Sequence, residues 1–443
     1  MKRSAMNRKP IVVLLLAASL ASCGVFKGGK PKTPTTGPRV PVLDFETKAV
    51  AEPELKDLAV VLPPPAVNAD WPQPGGSSAK SMGHLTLPDT LSVAWTAKIG
   101  KGSTATRRLN AAPVVAGGHV FTMDTDGEVA AFDAATGRRE WSYRLDYKKK
   151  ANAAFGGGVS AGDGKVYATS GFGVVAALDA ATGAVAWRKE LLVPFRGAPT
   201  LANGRIYAVT QDNQLFALSE VKGDTLWSVS GTVEVSGTLS GGAPAVALDT
   251  IVIGYSSGEL NALRAENGRT VWADALARTG RTTALNALTD IDGSPVIDRG
   301  RVFAIGHGGR LAALELATGQ RVWERNFAGT NTPWVAGDFV YVVTLDGEIV
   351  CVTRGEGKIK WVRQLPRFKD AKKKTGGYGW SGPVLASDRL LVAGSNRTLQ
   401  SVSPYTGALI SSVKLSGAAY LPPIVAGKMV YILTDDGKLT AYR

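Results

Sequence analysis

Gly254-Tyr255-Ser256-Ser257-Gly258 has the G-x-S-x-G form of a nucleophile elbow, where a serine on a strained strand-to-helix turn attacks an acyl carbon. Its surroundings argue against that chemistry. Ser257-Gly258 stands where an earlier copy of the same pattern has Asp126-Gly127, a tight hairpin, and no helical period follows. Gly156-Gly157-Gly158 and Gly171-Phe172-Gly173 look like phosphate-cradling loops, but neither leads into a helix whose N-terminus could hold an anion. His84, His119 and His307 are not spaced as metal ligands. No catalytic, cofactor-binding or metal-binding residue is expected.

Cysteine chemistry is equally spare. The chain has Cys23 and Cys351 alone, and Cys351 sits in the apolar strand pattern Ile349-Val350-Cys351-Val352, which predicts a buried, inert thiol. The triplets Lys148–Lys150 and Lys372–Lys374 could steer an acidic partner or could be solvated loop charge. The formal charge of +14 does not by itself point to nucleic acid, because Lys2, Arg3, Arg8, Lys9, Lys27, Lys30, Lys32 and Arg39 all precede the periodic part. No nucleic-acid recognition motif accompanies the charge, so no nucleic-acid partner is expected.

The elements that carry these residues follow a repeat. Thr136-Gly137…Trp141 recurs as Thr182-Gly183…Trp187, Lys222-Gly223…Trp227, Asn267-Gly268…Trp272, Thr318-Gly319…Trp323 and Glu356-Gly357…Trp361. A degenerate copy is Thr406-Gly407…Ser411, and Trp95 stands without its own Thr-Gly. Steps of 38 to 51 residues between copies are the period of a β-propeller blade. One repeat spells out four strands: Pro113–Ala116, His119–Thr125, Glu128–Asp133 and Arg138–Arg144. Further blades occupy about 158–191, 197–229, 242–275, 293–327, 330–365 and 381–415.

The last copy, Pro422–Arg443, has three strands, and Leu91–Lys98 supplies the fourth. The expected fold is all-β: an eight-bladed β-propeller of four-stranded antiparallel blades, residues 69–443, closed by pairing an N-terminal strand with the C-terminal blade. Prolines 113, 199, 244, 295, 333, 383 and 423 open inner strands, where a missing amide donor is tolerated. One tryptophan per blade is what blade-to-blade packing asks for. The connections 145–157, 230–241, 276–292 and 366–380 are long and share one face of the disc, which is therefore expected to carry binding.

Ahead of the propeller, four basic residues precede the apolar run Ile11–Leu20, too short to span a bilayer. Leu20-Ala21-Ser22-Cys23 resembles a bacterial lipobox, which implies a signal peptide over 1–22 and a lipid on Cys23. Gly24 at the next position implies sorting to the outer membrane, with the body facing the periplasm. Residues 23–68 are proline-rich with little hydrophobic period, and are expected to be a disordered tether of roughly 40 Å root-mean-square span.

Lipobox, tether and eight Thr-Gly…Trp blades together resemble the BamB family, the propeller lipoproteins of outer-membrane β-barrel assembly. Asp70-Trp71-Pro72-Gln73 and the repeats also resemble the wider pyrroloquinoline-quinone-like propellers. The BamB resemblance implies a non-catalytic scaffold without cofactor, a monomer within a hetero-complex, that binds the periplasmic domains of the central barrel protein. A family segment Leu-Ser-Asp-Val-Asp that contributes to this contact reads here Leu288-Thr289-Asp290-Ile291-Asp292, so Leu288, Asp290 and Asp292 inherit the partner-binding role. The family's second element, Leu-Arg-Gly ahead of blade four, has no counterpart around Val235–Leu239. Two alternatives stand beside this reading. One is a propeller scaffold of another envelope complex. The other is a quinone-dependent dehydrogenase, a class that resembles itself in an adjacent cysteine pair which this chain lacks.

Overall fold

The computed structural model describes residues 49–145, 156–234, 237–238, 241–276 and 288–443. Within them, eight four-stranded antiparallel sheets form the blades. In the first, Val114–Ala116, His119–Met123, Glu128–Asp133 and Arg139–Arg144 run from the axis outward. These bounds lie within two residues of those expected from the repeat. The two middle strands read as nearly continuous apolar runs because neighbouring blades cover both of their faces. The outer strand alternates in exposure because only one of its faces is covered. Ser257-Gly258 lies in the turn between Thr250–Gly254 and Glu259–Arg264, a hairpin as the repeat requires.

The ring closes as expected. Val93–Lys98 pairs antiparallel with Lys438–Tyr442, Trp95 opposite Ala441, and completes the sheet of Ile424–Ala426 and Met429–Leu433. The connection after blade six adds a hairpin, Phe368–Asp370 with Thr375–Gly377, whose turn carries the exposed Lys372–Lys374. Lys148–Lys150 lie outside the described residues.

Each repeated tryptophan is a clasp between blades. The indole Nε1 of Trp95 donates to Ala134 O at 3.0 Å, that of Trp141 to Ala180 O at 2.9 Å and that of Trp361 to Pro404 O at 3.0 Å. In every case the acceptor belongs to the loop between third and fourth strands of the next blade. The loop is itself locked: Asp133 Oδ1 accepts from Thr136 N at 2.8 Å and from its hydroxyl at 2.7 Å. Gly137 then takes φ +72°, and a Cβ there would stand 2.4 Å from the Trp95 ring. The same fit accounts for the degenerate copy. Ser411 would clasp blade eight, but the third and fourth strands of that blade are Lys438–Tyr442 and Val93–Lys98, with no loop joining them. A tryptophan at 411 would have no carbonyl to bind.

One expectation needs correction. The tether was expected to be loose up to residue 68, yet residues 49–68 pack against the blades; residues before 49 are outside the described set. Ala49 is buried with Phe303 and Val335, Glu52 pairs with Arg325 at 3.1 Å, and Glu52 N donates to Ile359 O. The chain then circles the axis at the end where first and second strands turn. Asn68 donates to Val425 O, Trp71 exchanges backbone bonds with Val115, and Pro72 O accepts from Ala161 N. Ser78 O, Ala79 O and Leu85 engage Val246, Ile297 and Leu385. Prolines raise the disorder signal by composition, but a polar strap needs no apolar period when its partners are the free backbone groups of inner strands.

Candidate functional site

On the face of the long connections, two of them and the shorter connection between blades two and three converge on a buried ion cluster. Phe195-Arg196-Gly197 comes from the connection between blades two and three, Thr238 from the next, and Asp290 and Asp292 from the one after. Arg196 Nη2 lies 3.4 Å from Asp290 Oδ1 and 3.7 Å from Asp292 Oδ1. Thr238 donates its backbone N–H to Asp290 Oδ1 at 2.9 Å and its hydroxyl to the same oxygen at 3.1 Å. Asp292 Oδ1 also accepts from the Thr238 hydroxyl.

Two hairpin turns complete the cluster. Arg196 Nη1 reaches Asn213 Oδ1 at 3.4 Å, and Asn213 Nδ2 donates to Ser256 Oγ at 2.7 Å and to Thr232 O at 2.6 Å. The serine of the elbow-like motif is thus a structural link, hydrogen-bonded to an amide. Thr289 donates its hydroxyl to Ser256 O at 3.0 Å. Packing leaves little slack, since a Cβ on Gly241 would stand 2.8 Å from Arg196 Nε and one on Gly237 3.0 Å from Asp290 Oδ1.

Burial governs the electrostatics. Desolvation pulls the Arg196 guanidinium below its ordinary value, and the two carboxylates oppose that shift. Desolvation also raises the Asp292 carboxyl, against the Thr238 hydrogen bond and the charge of Arg196. A guanidinium shared between two carboxylates suits such a site, being planar, always charged and weakly hydrated.

These positions alter the expectation for Leu288, Asp290 and Asp292. Asp290 is fully buried and Asp292 nearly so, and both point toward Arg196. Their carboxylates cannot offer a charge to a partner's surface; they hold loops together. Leu288 is half-buried at the edge of the cluster. The cation that meets these carboxylates is Arg196, which lies one connection earlier than Val235–Leu239. The signal was present as Phe195-Arg196-Gly197, a near match to Leu-Arg-Gly, but it lay ahead of blade three. Two exposed apolar side chains missed from sequence lie on two of the connections that supply the cluster: Leu192 at 65% exposure and Val233 at 65%.

Cys351 is buried, and burial pushes its thiol well above the ordinary value. Two of the three histidines serve the fold. Both His84 nitrogens are occupied, Nδ1 by Pro63 O at 2.7 Å and Nε2 by Asp388 N at 2.9 Å, and His119 pairs with Glu140. Among the described residues, no group of three or more His, Cys, Asp or Glu is placed to hold a metal ion.

The sequence profile described as outer membrane protein assembly factor BamB matches residues 147–363 and 364–443. A second, the β-propeller domain of glucose/ethanol/alcohol dehydrogenases, matches residues 88–161. The chain is 28% identical over 355 residues to the BamB protein of Escherichia coli K12, covering 79% of this chain and 88% of that one. It is 27% identical over 356 residues to BamB of Yersinia pestis, with the same shares covered. Among solved structures, BamB from Moraxella catarrhalis superposes with a TM-score of 0.69 at 20% identity, covering 80% of this chain and all of that one. A europium-containing methanol dehydrogenase superposes with a TM-score of 0.66 at 15% identity, covering 82% and 89%. At such identities the structural matches establish the propeller architecture.

Proposed function

This chain belongs to the BamB family of outer membrane protein assembly factors, and from that premise we propose that it is a docking scaffold for outer-membrane β-barrel assembly. In this reading it does no chemistry and binds the periplasmic domains of the central barrel subunit through the face of long connections. Cys23 carries the lipid that holds the protein at the outer membrane, facing the periplasm.

The observation that supports the reading best is the Arg196–Asp290–Asp292 cluster. It spends a buried cation and two buried carboxylates on fixing three adjacent connections on the face that carries the long loops. Rigid loops lose less conformational freedom on binding, which is how a scaffold gains affinity without mobile arms. The contact surface is then apolar: Leu192, Val233 and the half-buried Leu288, with the cluster as support. Asp290 and Asp292 act through loop position.

The test is co-purification of the assembly complex from membranes with Leu192→Glu/Val233→Glu. Charges on the two exposed side chains should abolish recovery of the barrel subunit while leaving the circular dichroism spectrum and melting unchanged. Undiminished recovery would reject this surface. Likeness to quinone-dependent dehydrogenases carries over the ring and nothing of its chemistry.

A further inference from the structure

The axial channel holds a cavity of about 350 Å³. Its walls are the starts of inner strands from seven blades, including Ala111, Gly242, Ser294, Thr332 and Ser381, and its lining includes Trp71, Gly75 and Lys80 of the strap. Trp71, Trp334 and Trp380 all border it, and the first two stack at 6.1 Å with an interplanar angle of 18°.

Lys80 is the anomaly. Its side chain is buried, and among the described residues it faces no carboxylate within ion-pairing distance. Among the described residues its Nζ donates to Thr200 Oγ1 at 3.0 Å, and that hydroxyl donates its own proton to Pro244 O at 2.6 Å. Lys80 also has φ +64°, the left-handed region that a side chain rarely enters. A buried amine that meets no counter-charge among the described residues and a strained backbone are two separate costs at one residue, and such costs persist where a site requires them.

We infer that the cavity is a binding site for a small organic carboxylate, its charge paired with Lys80 Nζ and its flat apolar body held among Trp71, Trp334 and Trp380. Among the described residues Lys80 is the one cation that borders the cavity, and it has no counter-charge, so a monoanion fits where a dianion would leave an excess. The cavity has the size of small-molecule pockets and their usual make-up of apolar walls with few polar groups. The other titratable groups lining it are Asp292, whose carboxylate is engaged by Thr238 and Arg196, and Tyr420. Burial lowers Lys80 to about 7, so pairing should draw a proton onto it near neutrality. The inference does not rest on the docking reading, although Asp292 belongs both to this lining and to the Arg196 cluster.

The probe is 2-naphthoate, with uncharged 2-naphthamide as control, titrated calorimetrically into the full chain at pH 6.5. Naphthoate should bind at least tenfold tighter than the amide, and Lys80→Met should remove that preference. No naphthoate binding, or equal binding to Lys80→Met, overturns the proposal. Should the variant fail to fold, the native chain decides: naphthoate affinity should fall about tenfold per pH unit above neutrality while the amide's stays flat. A flat naphthoate profile overturns it too.

Discussion

Arg196 Nη2 stands 3.4 Å from Asp290 Oδ1, both side chains buried, although 94 residues separate them in sequence. The pair ties the connection ahead of blade three to that ahead of blade five, with Thr238 of the intervening connection bound to the same oxygen. Breaking a buried pair from one side leaves an uncompensated charge, which costs about 3–5 kcal/mol. Arg196→Met should destabilise by about that amount in urea unfolding, and by clearly less when Asp290→Leu and Asp292→Leu are added. Strict additivity of the variants would contradict the cluster.

The clasp between blades predicts a contrast between two glycines. A Cβ on Gly183 (φ +72°) would lie 2.7 Å from the Trp141 ring, while one on Gly164 (φ +71°) would meet nothing within 4 Å. Both alanine variants carry the left-handed backbone penalty of about 1 kcal/mol. Gly183→Ala should add the displacement of the indole, about 1–3 kcal/mol more. Equal denaturation midpoints would show that the tryptophan yields freely.

Asp292 sets a pH dependence of known sign. Its folded-state carboxyl is raised by desolvation, so the native protein holds that proton more tightly than the unfolded chain. Its contribution is most favourable below the unfolded value of about 3.9 and is lost as pH rises to the folded value. The stability of the native chain relative to Asp292→Asn should therefore decline with rising pH across that window, then level off. A difference that grows with pH would reverse the assignment.

The strap predicts a protease boundary. Lys80 is buried and the residues on both sides of it are bound to inner strands, so any tryptic boundary in the strap should fall ahead of Lys80, and the bond after Lys80 should be spared while the blades are folded. Mass spectrometry of the resistant fragment reads the boundary directly. A fragment beginning after Lys80 would restore the loose tether.

Trp71 anchors the strap by stacking on Trp334, whose own Nε1 donates to Gly83 O at 2.7 Å. Trp71→Ala should cost about 3–5 kcal/mol, as for other buried aromatics. Thermal melting that matches the native chain would show the strap to be energetically idle.

The amino-acid sequence by itself determined the ring: eight blades, their strand bounds to within two residues in the first, closure of the last blade by the strand that carries Trp95, and a tryptophan packed between blades at seven of the eight steps. Those features are local. A hairpin, a Thr-Gly turn and an alternating strand are each decided within about ten residues, and the period repeats them until they cannot be missed. Asp290 and Asp292 were also visible, but as an exposed-looking Asp-x-Asp, because nothing near them names their partner. Only the closed tertiary structure brought Arg196 against them, wound residues 49–92 around the axis and set Lys80 against a cavity with no counter-charge among the described residues. Contacts between residues far apart in the chain arise when the ring closes, and a strap bound through backbone groups or a buried charge leaves no period for a sequence to show.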